Sequence, residues 1–152
     1  MVCLGNICRS PLADGVLRHK VNKLNLNIIV DSAGTANYHI GASPDKRMIA
    51  TAKMKGVDIG FLKARQFEYK DFEEFDSIFV MDQNNYKNVI QLAKTDQDKC
   101  KVKLLLEVTS KVHRKEVPDP YYGTQTDFEE VYELVDQATD AIIESYLADE
   151  KG

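Results

Sequence analysis

Short runs of apolar and β-branched residues alternate with longer stretches of helical period along the chain. These runs cover residues 27–33, 76–81 and 102–106, and a two-residue stub precedes the first helical stretch. Such alternation is typical of α/β folds, in which a parallel sheet is buried between helices. The sequence therefore predicts a single α/β domain over residues 1–152, a three-layer sandwich whose central parallel four-stranded sheet is flanked by helices.

Predicted helices occupy the intervals between these runs. The first begins at Ser10-Pro11, and two more are expected at about residues 45–55 and 84–94. A capping box, Thr126-Asp-Phe-Glu129, is expected to open a long final helix. The connection over residues 107–123 is longer than most loops without secondary structure in a compact domain, so we expect it to be functional.

Composition excludes several classes of protein. The formal net charge of -4 argues against a nucleic-acid binder. No stretch is apolar enough to span a membrane, and the N-terminus lacks the pattern of a signal peptide. The three cysteines do not suit a disulfide framework, so a cytoplasmic protein is expected. Neither the three histidines nor the Cys3–Cys8 pair has the spacing of metal ligands, and we predict no metal and no cofactor.

A thiol and a guanidinium lie six positions apart in the segment Cys3-Leu-Gly-Asn-Ile-Cys-Arg9-Ser10. Because a helix follows this loop, its N–H groups and the helix N-terminus form a cradle for a tetrahedral oxyanion. Arg9 offers a planar fork for two phosphate oxygens, and Cys3 should be a thiolate beside this cation. The loop predicts phosphoryl transfer through a phosphocysteine. The alternative is a buried apolar Cys3 and a surface Arg9.

The whole chain resembles the low-molecular-weight protein tyrosine phosphatases. Five segments occur in the order and spacing of that family: Val2-Cys-Leu-Gly-Asn-Ile-Cys-Arg-Ser-Pro11, Asp31-Ser-Ala-Gly-Thr35, Ala64-Arg-Gln66, Val80-Met-Asp82 and Asp119-Pro-Tyr-Tyr-Gly123. The resemblance implies a protein-tyrosine-phosphatase that hydrolyses phosphotyrosine and aryl phosphates. Only Met1 and Val2 precede the nucleophile, where family members ordinarily carry a longer strand. We therefore expect a very short first strand or a chain that begins before Met1.

The resemblance also implies roles for individual residues. Asp119 would protonate the departing phenolate and then activate water, although the residues alone equally allow a turn aspartate that acts locally. Asn6 and Ser32 would support the loop, and the Ser10 hydroxyl would donate to the sulfur. Gly5 is expected to let the backbone turn tightly and approach phosphate. The predicted catalytic residues are Cys3, Arg9 and Asp119, and the predicted phosphate-binding and supporting residues are Leu4, Gly5, Asn6, Ile7, Cys8, Ser10 and Ser32.

Aromatic walls are expected around the pocket. Tyr38, Tyr121 and Tyr122 would accept a flat phosphoaryl group at a depth that keeps phosphoserine away from the thiolate. Each tyrosine could instead be partly buried core. Leu62 stands where many family members have a histidine, so any polar link from that histidine to the Ser32 region must be replaced in this chain.

Cys8 has two interpretations. It could capture an oxidised Cys3 as a disulfide and spare that residue from irreversible oxidation, or it could be a small buried loop residue. Cys100, in a polar stretch, has no predicted function.

Three other functions compete with tyrosine phosphatase. Arsenate reduction on this fold uses two further cysteines about seventy residues downstream, and residues 71–84 contain none. Phosphoarginine hydrolysis is associated with threonine at the position of Ile7. A non-catalytic phosphotyrosine-binding module would lack Cys3, Arg9 or Asp119, and all three are present.

The expected partners follow from the phosphatase interpretation. They are tyrosine-phosphorylated protein substrates, with inorganic phosphate or vanadate as inhibitors. We expect no nucleic acid or membrane partner, and a monomer or weak dimer.

Overall fold

The computed structural model of the chain describes residues 1–151. Within this range it contains six α-helices, four β-strands and one 3₁₀ turn. In chain order the elements are β1 (Val2–Cys3), α1 (Arg9–Lys23), β2 (Ala33–Gly34), α2 (Lys46–Met54), α3 (Lys70–Glu74), β3 (Ile78–Val80), α4 (Gln83–Leu92), α5 (Asp96–Cys100), β4 (Val102–Leu104), the 3₁₀ turn (Leu105–Val108) and α6 (Gln125–Lys151).

The four strands described within residues 1–151 form one parallel sheet in the order β2-β1-β3-β4. In this order β1 is central, and Val2 pairs with Ala33 on one side and with Val80 on the other. The predicted parallel four-stranded sheet is confirmed. Its carboxyl edge, where an open α/β sheet binds ligands, is the edge that the Cys3 loop leaves.

All three internal strands are shorter than predicted. The run over residues 27–33 pairs only at Ala33–Gly34, because β1 supplies only two residues as its partner. The run over residues 76–81 is a strand only at Ile78–Val80. The run over residues 102–106 stops at Leu104, because the chain then tightens into the 3₁₀ turn. Most apolar residues of the last two runs are buried, whereas Ile29 in the first run is 85% exposed, so pairing and not apolar character decides which residues form a strand.

Helices cover both faces of the sheet. On one face α1, α2 and α6 bury an apolar cluster that includes Leu12, Met48 and Phe128. On the other face α3 and α4 pack Phe72 and Val89 against the strands. This arrangement gives the three layers that the sequence predicts, since each apolar face is covered by another element.

Helix ends lie close to the predicted bounds where a capping side chain is present. Asp45 accepts a hydrogen bond from the N–H of Arg47 at the start of α2, and Gly56 follows this helix with φ of 81°. Asp82 caps α4 in the same way. The helices α3 and α5 were not predicted, because five residues are too few to show a helical period.

The predicted capping box at Thr126 is wrong. Helix α6 begins at Gln125, and Thr124 donates from its N–H and its hydroxyl to the carboxylate of Asp127. The helix is 27 residues long and buries one stripe that includes Phe128 and Val135. Within residues 1–151, no helix combines the length and apolar character needed to cross a bilayer.

Candidate active site

Residues 4–8 form the loop between β1 and α1. The loop begins where the carbonyls of Cys3 and Leu4 accept hydrogen bonds from the chain after β2, at 2.9 Å each. Asn6 has φ of 57°, a left-handed conformation that asparagine tolerates better than most residues. In residues 1–151 the N–H groups of residues 5–8 have no backbone acceptor outside the regular elements, so these donors are free to face an anion.

The Asn6 side chain holds the bend of the loop. Its amide nitrogen donates to Ser10 Oγ at 2.7 Å, and its oxygen accepts from the N–H of Arg65 at 3.1 Å. Asn6 is buried, so both polar ends of the amide are satisfied inside the protein. The left-handed residue is therefore fixed from two directions.

Glycines near the loop make room for neighbouring groups. Gly5 is not in the left-handed region, and a Cβ there would lie 3.0 Å from His39 Cδ2. Gly34 is tighter, because a Cβ there would lie 2.7 Å from the carbonyl oxygen of Leu4. The close approach of β2 to the loop thus depends on Gly34, which was not among the predicted site residues.

Cys3 lies at the bottom of the loop and is 3% exposed. Its Sγ is 3.0 Å from Ser10 Oγ. Ser10 also accepts from Asn6 and lies 3.4 Å from the carbonyl oxygen of Ala33. Because Asn6 donates into the hydroxyl oxygen, the single hydroxyl proton is free to point at the sulfur, which is the nearer of the two acceptors.

Arg9 is 3% exposed, and one of its terminal nitrogens is bound by other residues of the protein. Its NH1 donates to Asp82 Oδ2 at 2.7 Å and to the Val117 carbonyl at 3.0 Å, while NH2 lies 3.7 Å from Asp119 Oδ2. Burial opposes the charge, but Cys3 and Asp82 outweigh it and raise the pKa of the guanidinium. The Nε and NH2 edge is left for an anion in the loop.

Asp82 is a site residue whose role the sequence did not assign. It follows the buried strand β3 and also caps α4 through its other carboxylate oxygen. The available signal was its position, since a polar residue at the carboxyl end of the neighbouring strand is expected at the ligand-binding edge. Its partner Arg9 is 73 residues away in sequence, and no local pattern connects the two.

Asp119 lies in the long connection before α6. Its Oδ1 accepts from the N–H of Tyr121 at 3.1 Å, and its side chain is 45% exposed. Two residues earlier, the N–H of Val117 donates to the Met81 carbonyl at 2.8 Å. The structure therefore brings Asp119 to the same pocket as Cys3 and Arg9, although the segment that carries it is largely exposed.

A pocket of about 400 Å³ opens above Cys3. The three predicted tyrosines border it; Tyr38 is 71% and Tyr122 is 96% exposed, so neither is core. The rings of Tyr121 and Tyr122 meet edge to face at 4.9 Å. The residues lining the pocket are Cys3, Leu4, Gly5, Ile7, Cys8, Arg9, Tyr38, His39, Asp119, Tyr121 and Tyr122. His39 is an addition to the predicted set.

Ser32 contacts the helix behind the loop. Its hydroxyl donates to Asp14 Oδ2 at 3.0 Å, and Arg18 donates to the other oxygen of this carboxylate. Asp14 is buried, and burial raises the pKa of its carboxyl group. Leu62 packs against the apolar cluster. The polar partner of Ser32 is therefore supplied by α1 and not by the position that Leu62 occupies.

The three cysteines are free thiols in different settings. Cys8 is buried, and burial raises the pKa of its thiol to about 12, with Asp45 and Cys3 adding to the effect. Cys100 is exposed at the end of α5. In the part of the chain that the structure describes, no group of three or more His, Cys, Asp and Glu side chains is arranged to hold a metal ion.

Comparison with known families assigns the chain to one of them. Residues 1–151 match the family described as low molecular weight phosphotyrosine protein phosphatase. The protein of that description from Homo sapiens is 41% identical over 147 residues, which cover 94% of this chain and 91% of the human protein. The chain belongs to the low molecular weight phosphotyrosine protein phosphatase family and is a hydrolase of the protein-tyrosine-phosphatase class.

Solved structures agree with this assignment. A protein tyrosine phosphatase from Entamoeba histolytica, crystallised with Hepes in its active site, superposes with a TM-score of 0.92 at 35% identity, covering 98% of this chain and 96% of that one. Vibrio vulnificus Wzb in complex with benzylphosphonate superposes with a TM-score of 0.83 at 31% identity, covering 95% and 94%. The α/β fold is confirmed.

Proposed function

We propose that Cys3 is the nucleophile, Arg9 the phosphate-binding cation and Asp119 the general acid and base of this phosphatase. The observation that carries the proposal is the pocket itself, which collects a buried thiol, a buried guanidinium and a half-exposed carboxylate from positions 3, 9 and 119. The sulfur attacks phosphorus as the bond from phosphorus to the aryl oxygen breaks. A proton from Asp119 goes to the departing oxygen.

In the second step the phosphocysteine is hydrolysed. Asp119, now a carboxylate, takes a proton from water as the water oxygen attacks phosphorus and the sulfur leaves. The Ser10 hydroxyl, 3.0 Å from the sulfur, supports the thiolate as nucleophile and again as leaving group. Both steps use only groups of the protein and water, and we therefore propose that the reaction requires no metal or cofactor.

Residues 4–8 supply the oxyanion cradle in this mechanism. The free N–H groups of residues 5–8 would bind the equatorial phosphate oxygens together with the N-terminus of α1. Arg9 would complete the ring with two parallel hydrogen bonds, which its Asp82 contact leaves possible. Asn6 and Ser32 would act indirectly: Asn6 holds the bend, and Ser32 fixes Asp14 behind the loop.

The proposed substrates are tyrosine-phosphorylated proteins. The exposed rings of Tyr38 and Tyr122 stand at the mouth of the pocket and would flank a phosphoaryl group. Since the net charge is -4, attraction for the phosphate must come from the loop and not from the field of the whole protein. Inorganic phosphate and vanadate would compete for the same cradle.

The rival reactions are less well supported. Ile7 lines the pocket with an apolar side chain, which suits an aryl phosphate better than a phosphoguanidine. An arsenate relay would need two further thiols beside Cys3. Cys8 could supply one of them, but the third cysteine, Cys100, is exposed on α5. A binding module without catalysis would not need Asp119 beside the cradle.

We further propose that the chain acts as one domain over residues 1–152 in the cytoplasm, as a monomer or weak dimer. A reducing compartment would keep Cys3 and Cys8 as thiols. Under peroxide, Cys3 would become a sulfenic acid that condenses with the Cys8 thiol and releases water. Cys8→Ala should then recover less activity under dithiothreitol than the parent; equal recovery would disprove the protective role.

The experiment that tests the mechanism is Asp119→Asn across aryl phosphates of graded leaving-group pKa. Turnover of phosphotyrosine should fall by about 10²- to 10⁴-fold, because the poor leaving group needs the proton. The loss should shrink for nitrophenyl phosphate, whose phenolate leaves unprotonated. The inhibition constant for inorganic phosphate should not change, because the cradle is intact.

Asp127→Asn is the matched control, since Asp127 is a carboxylate near the same connection that bonds only Thr124. It should leave turnover unchanged for every substrate in the series. A parent-to-mutant ratio for Asp119→Asn that stays constant along the series would make Asp119 structural and require another acid.

A further inference from the structure

Arg47 links two segments that both border the pocket. It lies in the first turn of α2, and its NH2 donates to the carbonyl oxygen of Tyr121 at 2.9 Å, across 74 residues of sequence. Tyr121 is two residues after Asp119. A side chain outside the pocket lining thus holds the segment that carries the acid.

The Arg47 guanidinium is connected to the phosphate loop through Asp45. Its Nε and NH2 donate to the two oxygens of Asp45 at 3.1 and 2.8 Å, and the N–H of Asp45 donates to the Ile7 carbonyl at 2.7 Å. The two-pronged contact holds the plane of the guanidinium in one orientation. The link therefore runs from the phosphate loop through Asp45 and Arg47 to Tyr121.

Aromatic rings hold the guanidinium from the sides. Its central carbon lies 4.6 Å from the centroid of the Phe128 ring and 5.5 Å from that of the Tyr121 ring. Phe128 is fully buried, so its ring is a fixed support at the start of α6. Both contacts are of the cation–π type, which guanidinium groups favour.

Asp119 stands between two anchored residues. On one side Val117 is bound through its N–H to Met81 and through its carbonyl to Arg9. On the other side the Tyr121 carbonyl is bound to Arg47, while the Tyr121 N–H donates to Asp119 Oδ1. Tyr121 thus connects Arg47 to the carboxylate, and the free oxygen Oδ2 is the one that faces Arg9.

We infer that Arg47 is a positioning residue that holds Asp119 in register with the phosphate loop for leaving-group protonation. The inference rests on the proposed role of Asp119. Arg47 itself touches no reacting atom in this scheme. Its effect passes through Tyr121 and should therefore appear in the proton transfers that Asp119 performs, and not in anion binding. The leaving-group dependence is read from kcat/KM, which reports the first of the two steps.

The test is Arg47→Met, which keeps the unbranched stem of the side chain and removes the guanidinium fork. Turnover of phosphotyrosine and phenyl phosphate should fall by about 10- to 100-fold, as expected when a catalytic group is displaced by about an ångström. Nitrophenyl phosphate should lose much less, and the inhibition constant for inorganic phosphate should stay within twofold. A uniform loss across leaving groups, or a weakened phosphate affinity, would overturn the inference.

The double variant Arg47→Met/Asp119→Asn separates this inference from the mechanism on which it rests. If Arg47 acts through Asp119, adding Arg47→Met to the Asp119→Asn background should cause no further leaving-group-dependent loss. Equal losses in both backgrounds would overturn the role of Arg47 while leaving Asp119 as the acid. A flat response of Asp119→Asn alone would instead overturn the proposed mechanism.

Two further variants distinguish the loss of a positive charge from the loss of the planar fork. Lys46→Met removes a positive charge from the exposed neighbour of Arg47 and should leave the whole leaving-group series unchanged. Arg47→Lys keeps the charge but lacks the planar fork, and should give the same selective loss as Arg47→Met. Full activity of Arg47→Lys would show that charge alone is sufficient and would overturn the positioning role.

Discussion

The phosphate loop and the acid-bearing connection meet at one pocket but are built in opposite ways. In the loop, Cys3, Asn6, Arg9 and Ser10 are at most 3% exposed, and their polar atoms bond one another, the backbone or the Asp82 carboxylate. In the connection, Asp119 is 45% exposed at its side chain, and the tyrosines after it reach solvent. The residues on either side of Asp119, the proposed acid, are anchored: Val117 bonds Met81 and Arg9, and Tyr121 bonds Arg47.

The difference teaches where each half of the reaction obtains its precision. In the proposed mechanism, anion binding and nucleophilic attack use groups that are fixed before the substrate arrives, so changes there should affect all phosphate esters alike. Proton transfer uses a surface segment, so changes there should discriminate between leaving groups. Substitutions can break this comparison in either half, and the leaving-group series is the measurement that separates them.

Arg9→Lys should produce the largest effect within the buried half. A lysine can reach toward Asp82 but cannot give two parallel hydrogen bonds to phosphate, so turnover should fall by about 10²- to 10³-fold. The loss should be equal for phosphotyrosine and nitrophenyl phosphate. Arg114→Lys, on an exposed arginine, is the control and should be silent. A loss confined to poor leaving groups would break the proposed division.

Much of the fold could be predicted from the sequence, because its signals are local. The alternation of apolar runs and helical stretches predicted the parallel sheet, in which Ala33, Val80 and Leu104 are buried. Strand length could not be predicted in the same way. The run over residues 27–33 is strand only where β1 can pair with it, and Leu105–Leu106 are buried in a 3₁₀ turn that composition does not distinguish from a strand.

The two halves of the site also differ in how far the sequence predicted them. The phosphate loop is contiguous, so its spacing was visible from Cys3 to Ser10. Asp82 and Arg47 were not assigned roles, because each acts through a contact more than seventy residues away. A single charged residue has no local pattern, and only the fold shows which partner it has.

Ser10→Ala should have an intermediate effect and would sharpen the comparison. The variant removes the hydroxyl that faces Cys3 and leaves the Asn6 amide without its acceptor. A hydrogen bond to a charged group contributes about 1.5–3 kcal/mol, so kcat should fall by about 10- to 100-fold. Steady-state kinetics should show this loss for good and poor leaving groups alike. Ser110→Ala, in an exposed turn, should retain full turnover, and a Ser10→Ala loss limited to phosphotyrosine would contradict the assignment.

Cys8 should give the smallest effect, on stability and not on turnover, because burial raises the pKa of this thiol to about 12 in the folded protein. In the unfolded chain the thiol titrates at about 8.5. Below that pH both states hold the proton and the contribution to stability is complete. Above it only the unfolded state loses the proton, so the free energy of unfolding should fall by up to about 1.4 kcal/mol for each pH unit as the pH rises toward 12.

The measurement is the free energy of unfolding in urea at pH 8, 9 and 10 for the parent and for Cys8→Ala. The variant loses a buried sulfur, so the comparison uses the slope of its free energy of unfolding with pH, which should be shallower than that of the parent. Cys100→Ala removes an exposed thiol and serves as the control for the loss of a cysteine. Equal slopes for Cys8→Ala and the parent would mean that Cys8 ionises as readily in the folded loop as in the open chain. Water would then reach the phosphate loop more readily than its buried side chains indicate. The difference in burial between the loop and the connection that carries Asp119 would be smaller than the structure shows.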